Sequence, residues 1–410
     1  MKLPKPQLIT LSNGLQLVCV HQRGAGAGIF GLTVGAGSSD EAPGEYGLAH
    51  LVEHTIFKGT IHRRPWHIIN RMEAVGGELN AFTTKEETTL YTIFPQGSAA
   101  RAIELVADLA INSQFPGHEV DKEREVVIDE INSYRDTPSE AVYDDFEDLV
   151  YAGTPLGHNI LGSAASVASL DGSDCRVFLD RYYTVGNAVA FYSGPQAPDH
   201  IAALVDKYFS ALPAGAPRAA REPIAMKAVT DNIVIDGLHQ SHTVLGIEVG
   251  SMYGSDRYAD GLFSNMMGGP GMNSLLNIEL RERRGLVYTV ESSITRFATT
   301  GLMTVYFGCD ADDTDRCLDL CVRTANRLAD TPASTLDRRI AAAKRQWLGQ
   351  LAIGSENREN RIMGSARSVL YTGGLTSDEE VVEQIMAVGR EQIVSRARSF
   401  SEPSVLTFRP

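Results

Sequence analysis

The sequence has no run of about 18 apolar residues, and this absence excludes a membrane-spanning helix. Basic residues are in deficit, because 37 Lys and Arg stand against 51 Asp and Glu, which gives a formal net charge of −14. So acidic a chain is a poor partner for the phosphate backbone of nucleic acids. The glycine-rich run at 268–271 is not followed by Gly-Lys-Ser/Thr, so a phosphate-binding P-loop is also excluded.

Cysteine is scarce, and its spacing forms no Cys-x-x-Cys pair. The five cysteines are Cys19, Cys175, Cys309, Cys317 and Cys321. An odd, scattered set argues against a disulfide framework and for a reducing compartment. The spacing of Cys317 and Cys321 indicates two buried thiols of one helix. No apolar leader is visible before Leu15, so we expect a cytoplasmic protein; the alternative is a processed chain from which a leader has been removed.

A segment rich in proline and alanine, residues 213–225, divides the chain near its middle. It predicts a linker between a first half, 1–212, and a second half, 226–410. The pattern of the first half restarts after it, since Val34-Gly35 and Val249-Gly250 each precede a predicted helix. Alternating strands and helices in both halves predict an α+β fold of two similar halves, each with a mainly antiparallel sheet packed with helices.

The most informative motif is His50-Leu51-Val52-Glu53-His54, which reads H-x-x-E-H, the reverse of the zinc signature H-E-x-x-H. Histidines four residues apart project from one face of a helix, where a single metal ion can bind both imidazoles. Glu53 stands beside the second histidine, where a carboxylate can accept a proton from water. The spacing predicts a zinc-dependent peptide hydrolase. The alternative is an exposed helix face with two unrelated histidines.

A catalytic zinc ion usually has three protein ligands, so the two histidines need a third, most often a carboxylate. The helix predicted over 119–135 offers Glu123 and Glu130, two turns apart on one face. Val126, Val127 and Ile131 indicate that this helix packs against the interior, where an unpaired carboxylate is costly. The alternative is a solvated acidic face, and the sequence chemistry alone leaves the two readings open.

The motif followed by Glu130 resembles the pitrilysin, insulysin and mitochondrial-processing-peptidase family of inverted-motif zinc peptidases, in its short two-domain bacterial branch. Further stretches with this resemblance lie at 11–14, 54–60, 76–83, 155–162 and 280–288. The resemblance implies one zinc ion per chain, held by His50, His54 and Glu130. It also implies that Glu53 is the general base and that Glu123 orients a metal ligand. The alternative for Glu123 is a plain surface glutamate.

The same resemblance implies substrate-binding residues in both halves. Asn80 and Ala81 lie on a predicted edge strand, whose free backbone groups can pair with an extended peptide. The alternative is a solvent-facing strand with Asn80 in a turn. Arg281 and Tyr288 match the family's catalytic pair that binds the substrate carbonyl and oxyanion, often from another subunit. The alternative for this pair is a salt-bridged arginine and a core tyrosine.

Two acidic residues bear on specificity. Glu140 and Asp144 match positions that, in mitochondrial processing peptidases, resemble a receptor for substrate arginine, which implies a preference for basic peptides. A solvated acidic helix is an equal alternative. The loop at 268–271 corresponds to a glycine-rich family segment, but the following residues, 272–276, depart from the family pattern.

Together these features predict a zinc endopeptidase that hydrolyses unfolded or short, basic peptides in a chamber formed by two subunits. Because the zinc motif and the pair Arg281 and Tyr288 occur in one chain, we expect a homodimer; a heterodimer with an inactive sister chain is the alternative. The alternative from another class is a catalytically silent scaffold subunit of the same fold. Such members typically lose zinc ligands, which this chain retains.

Overall fold

The computed structural model describes residues 4–216 and 220–410, so three residues of the predicted linker, 217–219, lie outside the described residues. The strands are β1 (Gln7–Thr10), β2 (Gln16–His21), β3 (Ala27–Val34), β4 (Glu78–Thr83), β5 (Thr88–Pro95), β6 (Ala188–Gly194), β7 (Thr230–Val234), β8 (Ser241–Val249), β9 (Val287–Arg296), β10 (Gly301–Cys309) and β11 (Ser404–Arg409). The helices of the first half are α1 (Leu48–Thr55), α2 (Pro65–Glu73), α3 (Ala99–Asn112), α4 (Gly117–Arg135), α5 (Pro138–Val150), α6 (Ala164–Ser169), α7 (Gly172–Tyr182) and α8 (Pro198–Tyr208). Those of the second half are α9 (Arg257–Gly268), α10 (Thr314–Ala329), α11 (Ala333–Gly354), α12 (Arg358–Thr372), α13 (Asp378–Ala387) and α14 (Arg390–Ser399), with a π-helix at Asn277–Glu282.

The regular elements expected from the sequence are present with shifted ends. The motif helix is α1, and it starts after Gly47, whose φ of 95° favours glycine. Residues 78–95 form a hairpin of β4 and β5. Its turn is closed by the Thr84 N–H, which donates to the Glu87 carbonyl over 2.8 Å. No residue of this turn, 84–87, is glycine or proline, so the usual signal of a turn is missing.

Two sheets form the framework, and they repeat one topology. The first has the order β1-β2-β6-β3-β5-β4 and the second β7-β11-β8-β10-β9. The pairs β2/β6 and β7/β11 are parallel, and every other neighbouring pair is antiparallel. Apart from β1, the sheets therefore match strand for strand in order and direction, which confirms the predicted α+β fold of two similar halves. In this correspondence β4 and β9 are the equivalent edge strands.

The described residues group into two compact units, each made of three chain segments. One unit draws on Met1–Asn132, His158–Ala220 and Ser355–Ser377, and the other on the remaining segments. The division predicted at 213–225 separates the two halves along the sequence. In the folded chain, however, Ser133–Gly157 of the first half belongs to the second unit, and Ser355–Ser377 of the second half belongs to the first unit. These two segments contain α5 and α12. Amphipathic periodicity shows that such a helix has a face to bury, but not which sheet will cover it.

Each sheet is buried on both faces, so each unit has two cores. In the first unit, Leu17 and Cys19 of β2 face one core, while Val18 and Val20 face the core that α12 covers. In the second unit, α5 packs on β8 and β11. Gly246 permits this close approach, because a Cβ there would lie 2.5 Å from the Phe146 ring. In the described part of the chain, no helix is long and apolar enough to cross a membrane.

Candidate metal centre

Helix α1 places the two motif histidines on one face, with their ring centroids 4.6 Å apart. Glu130 approaches them from α4, and its Oε2 lies 3.8 Å from His50 Nε2 and 3.4 Å from His54 Nε2. Across residues 4–216 and 220–410, these three side chains form the one cluster of three or more potential ligands whose donor atoms all lie within 4.8 Å of one another. The structure thus brings together the three residues that the resemblance selects.

This cluster has the donor chemistry that zinc requires. His50 is buried, and burial, assisted by the charge on His54, lowers the pKa of its imidazole to about 3. The ring is therefore neutral, which is the form that binds metals. Its Nδ1 has no hydrogen-bond partner among the described residues. Two imidazoles and one carboxylate are a usual ligand set of catalytic zinc, so the residues fit the metal.

Glu123 contacts Nδ1 of His54, the ring nitrogen that does not face Glu130. Its Oε2 lies 3.3 Å from His54 Nδ1, and its Oε1 accepts a hydrogen bond from Lys58 Nζ over 2.7 Å. A carboxylate on the second nitrogen fixes the orientation of a metal-binding imidazole. The Glu123 side chain is only 13% exposed, which removes the reading of a plain surface glutamate.

The packing of α4 corrects one expectation. Val126, expected to face the interior, is 48% exposed. Val127 and Ile131, which were also expected inside, are buried and lie four residues apart on one face of the helix. The helix therefore buries only a narrow stripe of apolar side chains. Glu130 lies outside this stripe, next to the histidines, and its side chain is 44% exposed.

Glu53 lies beside the ligand cluster but is not part of it. Burial raises the pKa of its carboxyl group, while hydrogen bonds from Thr83 and the charge of His54 oppose this rise. Thr83 is the last residue of β4, so the edge strand contacts the carboxylate directly. A half-buried carboxyl group with a raised pKa is suited to accept and return a proton.

An open cleft of about 350 Å³ connects this carboxylate to the edge of the first sheet. It is lined by Glu53 and His54 of α1, by Asn80 and Ala81 of β4, and by Ile69, among others. Asn80 pairs with Tyr91 of β5, so it lies in the strand and not in a turn. The outer edge of β4 therefore runs beside the candidate metal site, where an extended peptide could add to the sheet.

Arg281 and Tyr288 lie together in the second unit. Arg281 is on the π-helix, and its guanidinium carbon is 5.7 Å from the centre of the Tyr288 ring. Tyr288 is 82% exposed, so it is not a core tyrosine. Both residues line a cavity of about 370 Å³, whose wall also includes the glycine-rich loop at 268–271. Irregular helical turns of this kind are frequent at functional sites.

Glu140 and Asp144 occupy one face of α5, one turn apart. Both lie near Tyr134, whose pKa is raised to about 12 by burial and by the charges of these two carboxylates. The phenol of Tyr134 donates a hydrogen bond to Asp144. The two acidic groups are therefore close enough to act on a common cation.

Sequence reasoning missed the residues that hold the start of α1. The buried Glu41 accepts hydrogen bonds from the backbone N–H groups of Gly47 and Ala49, over 3.0 and 2.8 Å. Its carboxylate also accepts from His158 Nε2 at 3.1 Å, and Tyr46 stacks on the His158 ring. A carboxylate shortly before a helix is a recognisable capping signal, and it could have identified Glu41. Nothing in the sequence could have paired it with His158.

Two family profiles match the chain. The profile described as Insulinase (Peptidase family M16) covers residues 18–164, and the one described as Peptidase M16 inactive domain covers residues 169–344. Among curated proteins, one named as an uncharacterized zinc protease of Mycobacterium tuberculosis is 33% identical over 403 residues, which is 96% of this chain and 90% of the relative. Together with the ligand cluster, this similarity assigns zinc as the cofactor.

Solved structures share the fold. A protease from Helicobacter pylori superposes with a TM-score of 0.90 at 21% identity and covers 100% of both chains. A chain of complex III2 from Candida albicans superposes with a TM-score of 0.83 at 19% identity, over 98% of this chain and 94% of that one. At such low identity these likenesses show the architecture alone.

Proposed function

We propose that this chain, a zinc protease that belongs to the insulinase family (peptidase family M16), is an endopeptidase that cleaves unfolded or short peptides in a chamber formed by two subunits. The observation that carries the proposal is the convergence of His50, His54 and Glu130 beside Glu53 and a free strand edge. A catalytically silent scaffold subunit would not need to retain the three metal ligands together with a proton-accepting carboxylate. The five cysteines are buried and unpaired, which supports a reducing compartment such as the cytoplasm.

In the proposed mechanism, the edge of β4 pairs with the backbone of an extended peptide and lays it along the cleft. His50, His54 and Glu130 would hold the zinc ion, which would supply Lewis acidity toward the carbonyl group and the attacking water. Glu53 accepts the proton of the attacking water and delivers it to the nitrogen of the leaving amine. Glu123, anchored by Lys58, keeps the His54 ring in its orientation.

Arg281 and Tyr288 complete the proposed site as hydrogen-bond donors. A guanidinium and a phenol side by side can bind the peptide carbonyl and stabilise the oxyanion that develops on it. We propose, from the family resemblance, that these donors come from the second subunit. The exposure of Tyr288 supports a role toward a partner or a substrate, because a tyrosine so exposed has no packing role.

Mixing two inactive variants tests this subunit arrangement. We expect Glu53→Gln and Arg281→Ala chains each to be nearly inactive alone, and a refolded equimolar mixture to recover about a quarter of the wild-type rate. The reason is that half of the dimers are mixed, and one of their two sites is complete. Turnover of a fluorogenic peptide measures the recovery, and sedimentation velocity measures the dimer. A fully active monomer, or a mixture that remains inactive, would refute the shared site.

Glu140 and Asp144 support a preference for basic peptides. A carboxylate pair on one helix face suits a guanidinium, which binds carboxylates through paired hydrogen bonds. We expect Glu140→Gln to reduce the selectivity for arginine-containing peptides by roughly 10-fold, the loss of one charge-assisted hydrogen bond. Digestion of a peptide library with the zinc-loaded protein, read by mass spectrometry, gives this selectivity directly.

The matched control for Glu140→Gln is Asp145→Asn, a carboxylate on an exposed position of the same helix. It should leave the cleavage pattern unchanged. If both variants lose the arginine preference equally, the effect comes from the general charge of α5 and not from a defined receptor. If neither loses it, Glu140 has no part in specificity.

A further inference from the structure

A third cavity, of about 530 Å³, has no role in the proposed reaction. It lies within the second unit, between α9, α10, α11 and the π-helix. Its charged lining residues are Glu279, Arg283, Arg327 and Arg339, and the polar side chain of Ser274 also lines it. We call it the arginine cavity. A volume of this size is typical of cavities that hold small molecules.

Positive charge is in excess in the arginine cavity. Three lining guanidinium groups, of Arg283, Arg327 and Arg339, face a single lining carboxylate, that of Glu279. Glu279 is buried and pairs with Arg283 at 3.0 Å and with Arg327 at 2.8 Å, and Arg284 pairs with it from outside the lining at 2.8 Å. One carboxylate therefore cannot neutralise the set.

Of these three arginines, Arg339 has the fewest polar partners. It is an exposed residue of α11, and it makes no ion pair within residues 4–216 and 220–410. Its guanidinium keeps its hydrogen-bonding capacity for a ligand. Guanidinium groups favour phosphate, which they bind through two parallel hydrogen bonds.

A second, independent feature also indicates a ligand. Ser274 is only 5% exposed, yet its hydroxyl has no hydrogen-bond partner in the described part of the chain. A buried polar group without a partner costs free energy, and a ligand in the cavity would supply the missing acceptor. Beside it, the amides of Asn273 and Gln346 exchange two hydrogen bonds of 3.0 Å, which fixes this part of the wall.

We propose that the arginine cavity binds a small phosphate-bearing anion. Its lining has no residue in common with the peptide cleft of the first unit. It shares Ser274 with the cavity of Arg281 and Tyr288, so the two cavities adjoin at this residue. Free phosphates and nucleotides present the same chemistry to arginine, and the test must distinguish them.

Calorimetric titration of the full-length zinc-loaded protein tests the site without peptide cleavage, so its outcome is independent of the proposed proteolysis. The probes are orthophosphate, pyrophosphate and ADP, at constant ionic strength. We expect saturable binding of one anion per chain, and Arg339→Gln should weaken it at least 10-fold. Because Arg339 has no ion pair to lose, this variant should fold normally. Arg327→Gln is the second variant, and it should also weaken binding.

The matched control is Arg316→Gln, which removes the same charge from α10 at the protein surface, where Arg316 pairs with Asp313. It should bind the anion with wild-type affinity. Tighter binding of ADP than of pyrophosphate would identify a nucleotide, and the reverse would identify a free phosphate. Absence of saturable binding, or equal affinity in Arg339→Gln and Arg316→Gln, would overturn the proposal. Equal heats in all variants would also overturn the proposal, and zinc analysis after the titration would show whether those heats come from chelation of zinc by the probe.

Discussion

Glu53→Gln should lower kcat for peptide hydrolysis by roughly 10²–10⁴-fold, the usual contribution of a general base, while one zinc ion per chain remains bound. Glutamine keeps the size of the side chain and can still accept a hydrogen bond from Thr83. It cannot accept a proton from water. Because Glu53 is outside the ligand cluster, its loss should not release the metal. Cleavage of a fluorogenic peptide and zinc content by mass spectrometry measure the two effects.

Glu125→Gln is the matched control for this variant. It makes the same chemical change on an exposed position of α4, and its turnover should equal that of the wild type. Undiminished turnover in Glu53→Gln would falsify the assignment of the general base. Loss of zinc together with activity would instead make Glu53 part of the metal site.

Glu130→Gln should weaken zinc binding more than 100-fold, since it replaces the charged ligand of a three-ligand set with a neutral amide. Glu123→Gln should weaken it less, by roughly 10–100-fold, which is typical for a residue that orients a ligand. The structure predicts this order because the Glu130 carboxylate faces both histidines, whereas Glu123 reaches only the outer nitrogen of His54. Competition with a chromogenic chelator gives the zinc affinities.

This pair of variants separates two roles that activity assays alone would confuse. Excess zinc should restore activity to Glu123→Gln, whose three ligands are intact, and only weakly to Glu130→Gln. Treatment of the wild type with a strong chelator should abolish cleavage, and added zinc should restore it. Equal zinc affinities in Glu130→Gln and the wild type would remove Glu130 from the metal site, and the proteolytic interpretation would fail with it.

The local features of the site could be predicted from the sequence. The spacing of His50 and His54 fixes their common face once the segment is helical, and the structure has that helix. Glu130 is different, because periodicity left the role of α4 open and only the resemblance to a family singled this residue out. The exposure of Val126 shows the limit of such patterns, since the apolar stripe is narrower than three neighbouring apolar residues suggest.

Contacts between distant parts of the chain could not be predicted. Glu41 and His158 are far apart in sequence, and their hydrogen bond depends on the packing of the loop before α1. The same holds for Thr83, which meets Glu53 only because β4 is at the edge of the sheet beside α1. A single sequence records the face that each element must bury, but not the neighbour that covers it.

The crossing of α5 and α12 into opposite units has a consequence for how the chain can be divided. A fragment that ended at the linker would contain α5 without the sheet that buries Phe146, and would lack α12 over Val18 and Phe191. Each of the two fragments would therefore expose apolar surface that is buried by the other fragment in the intact chain. Gene fission at this point would therefore give two products that depend on each other for solubility, although the repeated topology suggests that they are self-sufficient modules.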